Sequence, residues 1–361
     1  MELNADSRKA LLSSLREDTV DRPASTMLIS LALFAVYFAL LVLTMQLENV
    51  VLKTLCSAWL SLYTGNLMVC AHDAAHNAMS RSKALNRWFG AIAMLPSLQP
   101  FSIWVRQHNF VHHRYVAQIG IDDTYPPLTP EQYRARSPLG RAYYRFLRSL
   151  VGQQFWYFLE ITLPFMLAPY LYRRLKMTRE NVLDLLLVYA WAGMIAWFCA
   201  SVSAAAYPDK GALYHWTSAA IFGLLLPTFF FSMLMTFLSV FQHTAPESKW
   251  KLADGKPSSF EDAMQGTIHL KLPEWLDFIF IRIMQHQAHH LNVHIDLHAI
   301  KEAQSKVSAV HDGWLVKPWT PSYHLEVVRR CKLYDPEREL WLTFEEADAL
   351  RAPESPAAVS P

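Results

Sequence analysis

Four apolar stretches separate polar segments along this chain of 361 residues. They comprise residues 27–46, 54–71, 185–206 and 214–241. The first is a run of twenty residues without a charged side chain, which is long enough to cross a bilayer as an α-helix. Short polar loops join the first stretch to the second and the third to the fourth. We therefore predict an all-α integral membrane fold with four transmembrane helices, arranged as two hairpins at 27–71 and 185–241.

Two further apolar stretches, residues 88–105 and 155–172, contain residues that disfavour a regular span. These are Pro96 and Pro100 in the first stretch, and Glu160, Pro164 and Pro169 in the second. Proline removes a backbone donor and interrupts the helical ladder of hydrogen bonds. We interpret both stretches as interfacial or re-entrant helices, and six spans remain the alternative.

The distribution of basic residues predicts the orientation in the membrane. Residues 81–148 contain ten Lys and Arg side chains, and residues 173–179 continue the basic region. The two short loops on the opposite side contain little beyond Lys53 and Lys210. Because cytoplasmic loops are enriched in Lys and Arg, we expect both termini and the middle segment to be cytoplasmic.

These expectations divide the chain into six parts. They are a cytoplasmic N-terminal segment (1–26), the first hairpin (27–71), a first cap segment (72–184), the second hairpin (185–241), a second cap segment (242–345) and a tail (346–361). The tail is rich in Pro, Ala and Ser, and we predict that it is disordered.

The composition supports a helical membrane protein. Hydrophobic residues make up 52% of the chain and charged residues only 18%, while glycine occurs 11 times. The net charge of +2 gives no reason to expect a nucleic-acid partner. The four cysteines are isolated from one another, and we interpret them as packing residues.

Fifteen histidines are present, and nine of them occur in clusters or singly in the segments outside the predicted spans. They are His72 and His76 in His-Asp-Ala-Ala-His, His108, His112 and His113 in His-Asn-Phe-Val-His-His, His286, His289 and His290 in His-Gln-Ala-His-His, and His243 alone. All nine fall on the side that the basic residues assign to the cytoplasm. Residues four apart share a helix face, so the first pair can bind one metal ion.

Nine imidazole rings exceed what one metal ion can coordinate, and two ions with four or five nitrogens each would use them all. Neutral imidazole is a good ligand for iron, zinc and copper. Structural zinc sites favour cysteine, which is absent from these clusters. A pair of redox metals at a membrane surface suits activation of O2, although the residues alone do not identify the metal.

The other histidines are expected to lie outside this cluster. His215 belongs to the opposite side of the membrane, and His269, His311 and His324 are isolated. His294 and His298 extend the last cluster at four-residue steps, which indicates either a surface stripe or an extension of the site. Asp73 lies between two candidate ligands and either orients a ring or solvates the helix end.

The three clusters resemble the three histidine boxes of membrane fatty acid desaturases. Their separations are similar as well, with 31 residues (77–107) between the first two boxes and 172 (114–285) between the last two. Asp122-Asp123-Thr124, Leu128-Thr129, Glu131-Gln132-Tyr133 and Tyr144-Arg145 resemble the loop after the second box in bacterial Δ12-type (omega-6) enzymes. Phe241-Gln242-His243-Thr244 resembles the segment that carries an extra histidine ligand in that group. The resemblance covers most of residues 28–305, and it departs at the second box, where three residues rather than the usual two follow His108.

The resemblance implies a di-iron centre in a cytoplasmic cap over a four-helix stem, with O2 as co-substrate. All nine clustered histidines would be the iron ligands. An acyl-lipid, acyl-CoA or acyl-carrier-protein substrate would be desaturated in a bacterial inner membrane. The chain contains no His-Pro-Gly-Gly haem motif, so a separate electron donor, a ferredoxin or a cytochrome b5-like protein, is expected.

Other functions remain open at this stage. The same scaffold serves hydroxylases, ketolases and acetylenases. A non-catalytic membrane protein that binds or transports metal is the alternative of another class, but the clusters lie outside the predicted spans rather than along a path through the bilayer.

Overall fold

The computed structural model describes residues 3–19, 22–171, 176–310 and 315–350. The α-helices are α1 (Ala5–Glu17), α2 (Pro23–Gln46), α3 (Val50–Ala75), α4 (Lys83–Met94), α5 (Phe101–Val105), α6 (Pro130–Arg134), α7 (Pro138–Leu147), α8 (Arg179–Ala206), α9 (Ala212–Ser218), α10 (Leu226–His243), α11 (Phe260–Gly266), α12 (Glu274–Ile279), α13 (His286–Leu291), α14 (Ile300–Val310), α15 (Pro321–Arg330) and α16 (Phe344–Ala349). Three π-helical segments, Arg106–His112, Tyr157–Leu167 and Ala219–Leu225, and three short 3-10 segments, Leu95–Ser97, Gly152–Phe155 and Pro169–Leu171, complete the helical part.

Three helices within the described ranges are long and apolar enough to cross a membrane. They are Pro23–Gln46, Arg179–Ala206 and Ala212–His243, the last comprising α9, a π-helical segment and α10. The predicted second span, residues 54–71, lies inside α3, which is 26 residues long. Buried polar residues, including Lys53 and Asn66, lower the hydropathy of α3. The fold is therefore a mostly helical one with three clear candidate spans, and the fourth span stays a prediction.

Local sequence explains where these helices begin. The side chain of Asn49 accepts hydrogen bonds from the backbone N–H groups of Val51 and Leu52, which starts α3 directly after the turn that follows α2. Thr178 forms a capping box with Asn181 at the start of α8. α3 packs against α2, α4 and α10, so it occupies the centre of the helical assembly. Its buried face then continues directly into the first histidine cluster.

The structure corrects the all-α expectation in the polar part of the chain. Three two-stranded sheets are present: β1 (Gln118–Ile119) pairs with β2 (Lys251–Leu252) in parallel, β3 (His269–Lys271) with β4 (Val316–Pro318) in parallel, and β5 (Leu333–Asp335) with β6 (Leu340–Leu342) antiparallel. The β1–β2 pair joins the first predicted cap segment to the second. Strands this short carry no alternating pattern that sequence reasoning could detect.

The interrupted stretches and the tail also differ in detail from simple expectations. Residues 88–105 contain α4 and α5 with a 3-10 turn between them, and residues 157–167 form a π-helix that accommodates Pro164. Residues 346–349 of the predicted disordered tail belong to α16, which Thr343 and Glu346 cap reciprocally. The remainder of the tail, residues 351–361, lies outside the described residues.

Candidate metal centre

The first histidine pair lies where α3 ends. His72 is in its last turn and His76 follows as the C-cap residue, so the rings stand on one face with centroids 4.8 Å apart. Both side chains are buried. The Nε2 atom of His76 is buried without a hydrogen-bond partner among the described residues. A buried polar nitrogen without a partner costs free energy unless something binds it, and a metal ion satisfies that requirement.

The second cluster lies on a π-helix, Arg106–His112. Its backbone bonds span five residues, as in the 2.9 Å bond from the N–H of His113 to the carbonyl of His108. The wider turn aligns His108 with His113 and turns His112 to a different side. Single-residue insertions in helices typically produce such π segments at functional sites. The additional residue between His108 and His112, where the Δ12 group usually has two residues rather than three, thus lies in this π-helix.

The third cluster lies on the six-residue helix α13, and His243 is the last residue of α10. His286 and His290, four residues apart, point together, and their Nε2 atoms are 3.0 Å apart. The Nε2 of His243 lies 2.8 Å from that of His286. His289 points to the other side of α13, with its Nε2 2.9 Å from the Nε2 of His113.

The nine histidines assemble into two groups in which the candidate ligand atoms all lie within 4.8 Å of one another. The five-histidine group comprises His72, His76, His108, His113 and His289, and the four-histidine group comprises His112, His243, His286 and His290. Closest Nε2 pairs are 2.8–3.2 Å apart. Two nitrogens bound at right angles about 2.1 Å from one ion lie about 3.0 Å apart, so the donor set fits metal ions.

Burial sets the protonation state of these rings. It lowers the pKa of His76, His108, His113, His286, His289 and His290 well below the ordinary range, and the neighbouring rings add to the effect. Burial and His112 lower the pKa of His243 to about 3. These seven rings are therefore neutral at physiological pH, which is the form that donates a lone pair to a metal.

Several polar groups orient the histidine rings by contacting the Nδ1 atom, on the side of the ring away from Nε2. The Nδ1 of His112 donates to the carboxylate of Asp122 across 3.0 Å, and the Nδ1 of His243 donates to the carbonyl of Gly266 across 3.0 Å. Asp73 lies 3.4 Å from the Nδ1 of His72, a looser contact, and accepts a 2.7 Å bond from the backbone of Leu297. Asp73 thus both contacts a ring and holds a loop.

The contacts of two further residues, Trp104 and Asp122, with the histidine rings were not predicted from the sequence. The indole of Trp104 stacks on His108 with centroids 4.3 Å apart, and the sequence gives no indication of that contact. Asp122 lies in a motif shared with the Δ12 group, but ten residues separate it from His112 and no regular spacing connects them. Burial alone would raise the pKa of Asp122, whereas its contact with His112 brings it below the ordinary value.

The remaining histidines lie outside both groups. α13 ends at Leu291, so His294 and His298 do not continue one helical stripe, which corrects that expectation. His294 donates to the carbonyl of His76, and His298 lies 3.3 Å from the hydroxyl of Thr26. His215 contacts Ser203, His324 contacts Gln153, and His269 is buried in β3. His311 lies outside the described residues.

Comparison with known proteins identifies the family. The family model described as fatty acid desaturase matches residues 49–313, which include all nine histidines. The chain belongs to the fatty acid desaturase family. It is an oxidoreductase that acts as an acyl desaturase, and its apolar helices make it an integral membrane protein.

Curated relatives of this desaturase carry Δ12 or omega-6 names. It is 25% identical over 276 residues to the sn-1 oleoyl-lipid 12-desaturase of Picosynechococcus sp., covering 74% of this chain and 73% of the relative. It is 24% identical to the enzyme of the same name from Synechocystis sp., covering 77% and 75%. It is 22% identical to the chloroplastic omega-6 fatty acid desaturase of Brassica napus, covering 81% and 62%.

A cavity adjoins both histidine groups of the desaturase. His72 and His108 of one group and His112, His243 and His286 of the other line its wall. Most of the remaining lining is apolar and comes from α3, α10 and the π-helix Tyr157–Leu167. The cavity therefore places a mostly apolar wall beside the two candidate metal positions.

Proposed function

We propose that the nine histidines bind two iron ions and that the enzyme uses O2 to desaturate an acyl chain lying in the cavity. The five-histidine group would bind one ion and the four-histidine group the other. The observation that carries this proposal is that two clusters of buried and half-buried imidazole rings meet at the wall of one mostly apolar cavity. Imidazole suits iron, and the family is one of O2-dependent enzymes of lipid metabolism.

The iron pair, when bound, would supply the oxidant that removes two hydrogen atoms from adjacent methylenes. The overall reaction consumes one O2, two electrons and two protons, and releases two water molecules and a cis double bond. The residues of this chain contribute positioning and exclusion of water. Trp104 fixes the ring of His108, Asp122 fixes the ring of His112, and the apolar wall keeps the chain extended past both groups.

For the substrate, we propose an oleoyl chain attached to a membrane lipid, attacked at the twelfth position. The names of the cyanobacterial relatives support this choice, and the identities near 25% are the reason it stays a proposal. An acyl-CoA or acyl-carrier-protein thioester is the alternative head group. The two electrons would come from a separate ferredoxin or cytochrome b5-like protein, since basic surface residues suit acidic donors of that kind.

We further propose four spans, with α3 as the second, and a cytoplasmic site in a bacterial inner membrane. The basic residues of 81–148 support this orientation through the positive-inside rule. Cysteine accessibility at the loop between α2 and α3, compared with the exposed loop between α6 and α7 (residues 135–137), tests it in intact cells.

Two measurements, one on the purified protein and one on an expressing host, test the function. Elemental analysis should give about two iron ions per chain, as expected from two imidazole groups of four and five ligands. Gas chromatography–mass spectrometry of lipids from an expressing host should reveal linoleoyl chains formed from oleoyl chains. Stoichiometric zinc from iron-replete cells, or a hydroxylated product alone, would contradict the proposal.

A further inference from the structure

Residues 275–284 (Trp-Leu-Asp-Phe-Ile-Phe-Ile-Arg-Ile-Met) form an apolar segment just before the third histidine box. Its first half belongs to α12, where Trp275 is 64% exposed and Phe278 is 71% exposed. Asp277 is on the buried side and accepts hydrogen bonds from Gln285. The other acid of α12, Glu274, is exposed and pairs with Lys301. A short helix that presents two aromatic rings outward is typical of a membrane-surface anchor, since aromatic side chains favour the interface.

A hydrogen bond to α3 indicates where the end of α12 lies along the axis of α3, relative to the histidine groups. The side chain of Asn66 donates a 3.0 Å hydrogen bond to the carbonyl of Ile279, the last residue of α12. Asn66 precedes His72 by six residues, so at about 1.5 Å per residue it lies about 9 Å from His72 along the axis of α3. That displacement is toward the apolar half of α3. Ile279, where α12 ends, therefore lies on that side of the metal centre, and the exposed Trp275 and Phe278 belong to the same short helix, within about one turn of it.

The segment after the anchor, residues 280–283, forms one wall of the acyl cavity, and we call it the strap. Phe280 and Ile283 line the cavity. Two side-chain amides hold the two ends of the strap: Asn66 of α3 bonds to Ile279, and Gln242 of α10 donates a 2.9 Å bond to the carbonyl of Ile283. The strap thus closes the side of the cavity that lies between these two helices.

The backbone of the strap is strained at its centre. Ile281 and Arg282 have φ angles of 47° and 58°, a left-handed conformation that is rare for residues other than glycine and most unfavourable for a β-branched side chain. A 2.8 Å bond from the N–H of Arg282 to the carbonyl of Asp277 helps to hold this conformation. A strained segment held by a few hydrogen bonds can change conformation at low cost once those bonds break.

We propose that the strap is a lateral gate through which a membrane-lipid acyl chain reaches the cavity directly from the bilayer. α12 anchors the gate at the membrane surface, and the amides of Asn66 and Gln242 latch it shut between α3 and α10. Opening exposes the cavity to lipid while the head group stays at the interface. The inference rests on the proposed desaturation and assigns its substrate to glycerolipids rather than to water-soluble thioesters, because a soluble carrier has no need of a membrane-facing opening.

Reversible cross-linking of the gate tests the proposal. The variant Asn66→Cys/Ile279→Cys, in a Cys56→Ser background, is loaded with iron, placed in nanodiscs containing dioleoyl phosphatidylcholine and treated with a short bifunctional methanethiosulfonate reagent. Each sample serves as its own reference before cross-linking and after reduction. Cys70, Cys199 and Cys331 are buried and do not compete for the reagent.

The expected result is that the rate of lipid turnover falls about tenfold or more on cross-linking and recovers on reduction. Entry of the lipid chain would then be the step that cross-linking slows. Protein cross-linked after it has bound lipid should still complete one turnover, because the chain is already inside. Unchanged multiple turnover after complete cross-linking would overturn the gate. The failure of the proposed function looks different, since wild-type enzyme with two iron ions would then form no double bond at all.

A second set of variants keeps the proposal testable if the cysteine protein is inactive. Trp275→Ser/Phe278→Ser should lower kcat/KM for nanodisc lipid by about tenfold without loss of iron, because the gate loses its hold on the interface. The matched control is Trp88→Ser on α4, which is 67% exposed and does not line the cavity. Equal losses in both proteins, or none in either, would contradict an anchor specific to α12.

Discussion

His112 and His113 are consecutive in the chain, yet their Nε2 atoms point into different histidine groups. The Nε2 of His112 lies 3.2 Å from that of His290, and the Nε2 of His113 lies 2.9 Å from that of His289. The π-helix produces this division by aligning His113 with His108. One helical turn therefore supplies ligand atoms to both candidate metal positions and fixes their separation.

Alanine at His112 or at His113 should abolish turnover, because each substitution removes a ligand from a different histidine group. His112→Ala leaves three histidines in its group, and His113→Ala leaves four in the other. We expect His112→Ala to retain about one iron per chain, and His113→Ala to retain more because its group keeps four ligands. Iron analysis after gel filtration measures this, and His76→Ala and His289→Ala should resemble His113→Ala. Full iron content with full activity would remove the residue concerned from the ligand set.

Replacing Asp122 by Asn should weaken the four-histidine group, and it also removes one of the two acceptors that bond the backbone N–H groups of Ala117 and Thr124. The amide can still accept the proton of His112, but it no longer supplies the negative charge that strengthens the imidazole as a ligand. We expect a loss of about 10–100-fold in affinity for the ion bound there. Iron retention against a chelator measures it.

The control for that variant is Asp184→Asn. Asp184 is equally buried, but it bonds to Arg87 and to the backbone of Ser102 rather than to a histidine. Similar iron loss in both variants would mean that Asp122 acts only through the stability of the fold.

His243, His294 and His298 should behave differently when each is replaced by alanine. His243 has its Nε2 among the four-histidine group, so His243→Ala should lose most of one iron and all activity. His298 contacts Thr26, so the His298→Ala protein should keep its iron and much of its activity. His294 holds the carbonyl of His76 and should fall between the two. Iron loss in His298→Ala with normal iron in His243→Ala would reverse the ligand assignment.

Two glycines give opposite predictions for stability. A Cβ atom at Gly152 would lie 1.9 Å from the backbone oxygen of Phe146, whereas one at Gly193 in α8 meets nothing within 4 Å. We expect Gly152→Ala to destabilise the fold by about 1–3 kcal/mol or more. Gly193→Ala should be neutral or stabilise α8 by up to about 1 kcal/mol. Thermal unfolding in detergent compares them, and equal midpoints would contradict the close approach at Gly152.

His269 should contribute to acid instability. Burial, assisted by Lys271, lowers its pKa to about 4, so the folded protein keeps this ring neutral. The unfolded chain takes up the proton below about pH 6.5, and stability is therefore lost as the pH falls from 6.5 toward 4, by about 3 kcal/mol at most. His269→Gln should unfold at a midpoint that depends less on pH over this range. Parallel pH curves for the two proteins would contradict the prediction.

The family, the clustering of the nine histidines and three of the spans could be predicted from the sequence because each depends on a local pattern. Long apolar runs report spans, and four-residue spacing reports a shared helix face. The partition of the ligands could not be predicted, because it depends on the π-helix at His108–His113 and on the early end of α13. Neither feature has a marker in residue type alone.

Long-range contacts account for the other differences. Asp122 reaches His112 through a loop, and Asn66 reaches Ile279 across more than two hundred residues. The apolar segment 275–284 is too short to register as a span, and α16 forms because of a capping box at Thr343 in a region that composition alone marks as polar. Such contacts are set by tertiary packing.

The histidines of the five-histidine group are synthesised, for the most part, before those of the four-histidine group. Four of the five histidines in the larger group, His72, His76, His108 and His113, precede the second hairpin, whereas only His112 of the smaller group does. The β1–β2 pair, which ties residues 118–119 to 251–252, also waits for the later segment. During synthesis the first ion can therefore be captured early by a nearly complete ligand set, while the second depends on the last box. The candidate ligand set is thus complete only when His290 has been synthesised, and the four-histidine group is the later of the two to assemble.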